Sequence, residues 1–139
     1  MTRYLLDPQM FNMSLPRNQC FCYSRKYLRD CEGYHDISPC LGWLPVGFTF
    51  PHFYQSPNLL ALVDGLLPNA EEHQGYLDME PNIGAPVNAR VGIQGVLDLG
   101  PLSLVPSLSD IPRLKLPIVY FKIVCTFCFV AQSNLIYFH

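Results

Sequence analysis

Six cysteines, and a run of carboxylates beside a histidine, are the residues of this 139-residue chain with the widest chemical range. Cys20, Cys22, Cys31 and Cys40 fall close together in the spacing C-x-C-x8-C-x8-C. A structural zinc site draws its ligands from pairs two to four residues apart, so this spacing favours disulfides over metal and leaves the pairing open. Asn12-Met13-Ser14 just upstream is an N-glycosylation sequon, and with the cysteine density it points to an oxidising, secretory setting. Further on, Cys125-Thr126-Phe127-Cys128 imitates a redox C-x-x-C, but that chemistry needs a thioredoxin-like βαβ context that the surrounding sequence does not supply. Glu71, Glu72 and His73, followed by Asp78 and Glu80, offer donors for a metal or an acid–base pair. Adjacent residues on one helical turn diverge, however, and capping explains the same residues. His52, between Pro51 and Phe53, reads as a packed strand histidine rather than a catalyst. No G-x-S-x-G elbow, phosphate-binding glycine loop or H-E-x-x-H occurs, so hydrolase, nucleotide and zinc-protease chemistry have no residues to rest on.

The elements that would carry these residues are short. Thirteen prolines and nine glycines interrupt the chain every few positions, which disfavours long helices and favours brief strands joined by turns. Half of the residues are hydrophobic, 13% are aromatic and only 14% are charged, a composition that folds rather than staying disordered. With a net charge of -2 and scattered basic residues there is no footprint for nucleic acid. Met1 to Pro16 reads as irregular, and Met1 to Met10 lacks the apolar core and cleavage site of a signal peptide, so secretory cysteines imply sequence upstream. Cys20 to Cys40 has no sustained period and reads as a surface knot held by cross-links. Trp43 to Phe53 is expected as a strand with Pro45 and Pro51 near its ends.

Ser56-Pro57 opens a short helix that Gly65 would close, burying Leu59, Leu60, Leu62 and Val63. In Asn69 to Glu72 (NAEE), Asn69 caps a turn and Glu72 reaches back to the cap's own N–H. Tyr76 to Glu80 reads as a strand, and Val87 to Leu97 as the clearest one. There Val87, Ala89, Val91 and Ile93 alternate with Asn88, Arg90, Gly92 and Gln94, giving one buried and one polar face. Pro101 to Pro112 is a loop, and Leu114 to Phe121 a last strand interrupted by Pro117. The expected fold class is mainly β with short helices, in antiparallel pairing.

The stretch Pro51 to Gly84, PHFYQSPNLLALVDGLLPNAEEHQGYLDMEPNIG, closely resembles the class B scavenger receptors. Its PHF, DGL-x-PN-x-EEH and YLD-x-EP-x-x-G elements stand in that family's order and spacing. NQCFC at Asn18 to Cys22, DISPC at Asp36 to Cys40 and LKLPIVYF at Leu114 to Phe121 extend the likeness to about 120 residues. The resemblance implies the C-terminal part of a glycosylated ectodomain over residues 1–121, with a cysteine-rich segment at 18–40 and a divergent apolar tail at 122–139. It implies part of an antiparallel β-barrel enclosing an apolar tunnel for fatty acids, sterols or related lipids, with no cofactor and no covalent chemistry. The partners would be lipids or lipoproteins. The membrane, at the cell surface or the lysosome, would be reached through segments absent from this chain, which itself lies on the extracellular or lumenal side. The resemblance also pairs Cys22 with Cys31, and sends Cys20 and Cys40 to upstream cysteines.

Val87, Ala89, Val91 and Ile93 are the candidates for the tunnel wall, although packing against a helix would produce the same alternation. Asn12 is the expected glycan site. Three functions remain open here: a lipid-binding receptor or transporter ectodomain, a structural or adhesion glycoprotein with a filled barrel, and a truncated product without independent function. The tail is not expected to span a bilayer, because Ile123 to Phe138 as one helix reaches about 24 Å against a hydrocarbon core of roughly 30 Å. Gln132, Ser133 and Asn134 also interrupt its apolar run.

Overall fold

Strand β5 (Ala85–Leu99) is the spine of the molecule, and six other strands assemble around it into one open antiparallel sheet. The computed structural model describes residues 1–23, 31–100, 106–110, 113–126 and 136–137. One edge of β5 is taken by β6 (Leu114–Thr126), in register from Asn88↔Thr126 to Leu99↔Leu114. The other edge is shared by β4 (Tyr76–Glu80) along its first half and β3 (Val46–Thr49) along its second. β1 (Thr2–Leu5) pairs with β4, β2 (His35–Asp36) with β3, and β7 (Ile136–Tyr137) with β6. Among the described residues the sheet does not close into a barrel.

Two four-residue helices, α1 (Pro57–Leu60) and α2 (Ala70–His73), cross one face of this sheet between β3 and β4. Beneath them Met13, Tyr34, Phe53, Leu59, Val96 and the disulfide-bonded Cys22 and Cys31 form the apolar cluster. Tyr34 lies flat on Gly47, where a Cβ would collide with its ring and with the His35 carbonyl. His35 sits between Phe11 and Phe21, its ring centroid 4.5 and 4.3 Å from theirs. The cysteine-rich segment is therefore part of the core through Tyr34 and His35, rather than a knot laid on the surface.

Several elements differ from the expectations above. The first residues form an edge strand, β1, whose four side chains are all exposed, so pairing rather than burial creates it. β3 covers only four of the eleven residues expected from Trp43 to Phe53. Past Pro51 the backbone turns left-handed at His52 and again at Phe53, both at φ 52°, and no strand can continue through that geometry. α1 ends at Leu60, well before Gly65, and leaves Leu62 56% exposed. Ser56 precedes it but does not cap it, since its hydroxyl donates to the Gly33 carbonyl at 3.1 Å. β6 runs on to Thr126, five residues past the expected end. The loop expected from Pro101 lies outside the described residues except for 106–110, which hold a short turn at Pro106–Leu108, and Cys128 and most of the tail lie outside them too. Cys125 is itself disulfide-bonded.

Candidate functional site

Directly opposed residues of antiparallel strands share a face, so the register alone sorts this sheet into two surfaces. One is covered by the helices and the N-terminal segment. Among the described residues the other is open and apolar. On β5 it carries Ala89, Val91, Ile93 and Leu97, all only half-buried. Across β6 their partners are Cys125, Ile123, Phe121 and Leu116, the last three exposed. Phe48 and Val46 extend the surface on β3, opposite Gly95 and Leu97, and Leu77 and Tyr4 extend it through β4 and β1. Among the described residues more large apolar side chains are exposed than buried. A contiguous apolar surface spanning five strands exceeds the scattered exposure normal for soluble proteins and marks a place where something else sits.

Ala89, Val91 and Ile93 are thus brought together on the open face, while Val87 falls at a bulge, between the Asp78↔Asn88 and Met79↔Pro86 pairs. The expectation that the polar set faces away from the core is overturned. Gly92, Gln94, Gly95, Val96 and Asp98 are the buried positions of β5. Each polar member is buried because it is satisfied there. Gln94 donates from Nε2 to Thr49 Oγ1 at 3.3 Å and accepts the His52 amide at 3.0 Å. Gly92 leaves room for Pro51 and the Tyr120 ring, which a Cβ would meet at 2.7 and 3.1 Å.

The buried carboxylates of the covered side, Asp78 and Asp98, are likewise paired. Arg3 donates to both carboxylate oxygens of buried Asp78, at 2.6 and 2.7 Å, and holds that carboxyl below its ordinary range. Arg3 and Arg90 lie over the Tyr76 ring at 4.1 and 4.9 Å. At the far end of β5, burial alone would raise Asp98, but hydrogen bonds from Arg113 and Lys115, the latter at 3.0 Å, bring it below its usual value. Lys115 is itself buried and sits 4.3 Å from the Tyr34 ring centre. Tyr34 is correspondingly pushed up by burial and by the nearby Asp36 and Asp98 carboxylates.

The residues weighed as a metal or acid–base site do not converge. Asp78 is engaged by Arg3, Glu80 accepts from Asn82, and His73 serves the helix cap. Asn69 Oδ1 accepts the Glu71 amide at 2.8 Å as a cap should. The cap's own N–H goes to His73 Nδ1 at 2.9 Å, and not to Glu72, so the reciprocal partner is one residue later than the capping-box pattern suggests. His73 also stacks on His52, a pairing that 21 residues of separation hid from the sequence. Among the described residues no three His, Cys, Asp or Glu side chains gather in a metal-binding arrangement.

Cys22 and Cys31 are joined, with Cα atoms 5.7 Å apart, whereas Cys20 and Cys40 are exposed free thiols. Asn12 lies half-buried in a turn in which its Oδ1 accepts the Ser14 amide at 2.9 Å. No helix among the described residues is long and apolar enough to cross a membrane.

Comparison with known proteins places this architecture. The sequence matches the CD36 family over residues 1–134. It is 35% identical over 106 residues to sensory neuron membrane protein 1 of Aedes aegypti, an alignment covering 76% of this chain and 19% of that protein. To scavenger receptor class B member 1 of Bos taurus it is 32% identical over 108 residues, covering 77% and 20%. To protein peste of Drosophila melanogaster the identity is 29% over 106 residues, covering 76% and 19%. The chain spans about a fifth of the length of the curated relatives it matches. With the family pattern running from the first strand to beyond β6, and class B scavenger receptors among its relatives, this chain belongs to the CD36 family.

Proposed function

We propose that the open face of the sheet is one wall of a lipid-conducting cavity in a class B scavenger receptor ectodomain, serving uptake of fatty acids, sterols or lipoprotein lipids. The observation that carries this reading is the apolar surface of Val91, Ile93, Phe121 and Ile123, left uncovered at the centre of the sheet. Each Å² of apolar surface kept in water forgoes roughly 25 cal/mol, so such a face is retained only where another surface or a ligand covers it. The remaining walls of the tunnel would come from the rest of the ectodomain, as would the membrane attachment and the cysteines that receive Cys20 and Cys40. Nothing in this reading calls for catalysis.

A diazirine fatty acid and a diazirine sterol, offered to full-length receptor containing this segment, test it. Adducts should concentrate on peptides spanning Val87–Leu97 and Leu116–Ile123, and Ile93→Glu should cut labelling there at least about tenfold, since a carboxylate at an apolar wall must stay solvated. Labelling that avoids both peptides, or that survives Ile93→Glu in folded receptor, would remove the face from the lipid path. A second reading has an observation of its own: two free thiols beside so much uncovered apolar surface suit a truncated product that does not function alone. Size-exclusion chromatography separates the two, because a truncated product of this kind elutes as aggregate.

A further inference from the structure

Two backbone amides of the segment that follows α1 end on histidine, one on His52 in the turn after β3 and one on His73 of α2. The Leu67 N–H donates to His52 Nδ1 at 3.2 Å, and the Asn69 N–H donates to His73 Nδ1 at 2.9 Å. A backbone N–H can only donate, so each imidazole must keep Nδ1 bare and carry its single proton on Nε2. The two rings stack, with centroids 4.5 Å apart and 17° between their planes. His52 is held in place from behind: its own amide is fixed by Gln94 and its backbone is left-handed. Leu66, next to the first tied amide, packs against the core and lines a cleft of about 300 Å³ together with His52, Gln94, Pro117, Val119 and Tyr120.

The groups around His73 do not welcome positive charge. Besides Glu72 on α2, the charged neighbours are Arg90 from β5 and Lys122 from β6, two cations against one carboxylate, while the Tyr120 ring meets His52 edge-on at 6.5 Å. Burial, then His52, keeps His73 below the ordinary imidazole range, and Lys122 and Arg90 add to the effect. We propose that His52 and His73 form an acid-released clasp. At neutral pH the bare Nδ1 of His52 holds the 66–69 segment to the turn after β3, and that of His73 holds its end to α2. In an acidic compartment a proton gained at Nδ1 sets a donor against a donor, and with a proton on each ring two stacked cations repel. The segment lifts and the cleft beside Leu66 opens. This device does not depend on what the open face of the sheet binds.

Hydrogen–deuterium exchange of the full chain at pH 7.4 and pH 5.0, corrected for intrinsic exchange, tests it. Protection of the Leu67 and Asn69 amides should fall at least about tenfold relative to the β5–β6 ladder on acidification, as expected for a local opening. His52→Asn with His73→Asn supplies a side-chain oxygen near each Nδ1 position that cannot gain a proton, and asparagine tolerates the left-handed backbone at position 52. That double variant should keep its protection at pH 5.0. Protection in the parent chain that is unchanged by pH, or a fall that persists in the double variant, would overturn the clasp. Should the variant not fold, ¹⁵N spectra of the parent imidazoles decide. Both must be Nε2–H tautomers at pH 7.4 and titrate together with the loss of protection, and an Nδ1–H tautomer in either ring would sink the proposal.

Discussion

Lys115→Met is the substitution that most directly tests how the covered face tolerates charge. Lys115 and Asp98 are both buried, and the Lys115 ammonium meets the Asp98 carboxylate at 3.0 Å while lying over the Tyr34 ring. Breaking a buried ion pair by removing one member costs about 3–5 kcal/mol, because the other charge is left uncompensated. Here Arg113 stays on Asp98 with bonds of 3.3 and 3.0 Å, so the penalty should fall to the bottom of that range or below it, about 2–3 kcal/mol, with about 0.5–1 kcal/mol more for the lost ring contact. Methionine fills nearly the same volume, which keeps cavity effects small. Urea unfolding followed by near-ultraviolet circular dichroism reads the difference as a lower midpoint at unchanged slope. The cycle with Asp98→Asn isolates the pair, and its coupling energy should be about 2 kcal/mol. The pH dependence supplies a sign. The folded-state value of Asp98 is depressed, so its contribution is present above the unfolded carboxylate value and is lost as pH falls through the folded one. The penalty of Lys115→Met should therefore begin to shrink only as pH falls below the unfolded carboxylate value of about 3.9, and should be lost below the depressed folded value, where Asp98 is neutral and Lys115 would otherwise be an unpaired buried cation. A penalty under about 0.5 kcal/mol at pH 7, or a cycle without coupling, would refute this account of the pair.

Gly47→Ala should prevent folding or cost more than about 3 kcal/mol by thermal melt, since the added methyl meets the Tyr34 ring and the His35 carbonyl. Cys22→Ser should lower stability by about 2–3 kcal/mol in non-reducing urea titration, the value expected for a loop as short as Cys22–Cys31. His35 and His73 are both held below the ordinary imidazole value, chiefly by burial, so the unfolded chain binds more protons as pH falls. Stability should be present above about pH 6.5 and decline as pH drops towards the folded values, which melts at pH 7.5, 6.0 and 5.0 will show. Asn12→Gln should abolish a glycosidase-sensitive mobility shift in protein that has passed through the endoplasmic reticulum.

What the sequence made legible was what local pattern controls. Tyr76 to Glu80 has the bounds expected of it, and β5 and β6 appear where alternation and β-branched residues put them. β1 was not legible, because an edge strand with no buried side chain is created by a partner far along the chain. The left turn at His52 and Phe53 is imposed by tertiary contacts, with the Gln94 side chain holding one amide and the core holding Phe53, and no local propensity signals it. The facing of β5 was misjudged for a related reason. Gln94 and Asp98 look like solvent residues until Thr49, Arg113 and Lys115 are seen waiting for them. The apolar residues of the candidate wall were legible, whereas the side of the sheet left open by its covering was not.

The pairing of β1 with β4 also sets a timetable. Thr2 has no partner until Met79 exists, and at about 5–20 residues per second a ribosome needs roughly 4–15 s to make the chain between them. Throughout that interval Tyr4 and Leu5 travel with neither ladder nor cover, whereas α1 and the Cys22–Cys31 loop can form from residues already made. β1, made before the other described strands, is thus among the last of them to dock, and a chaperone that binds exposed apolar segments would find it before the sheet does.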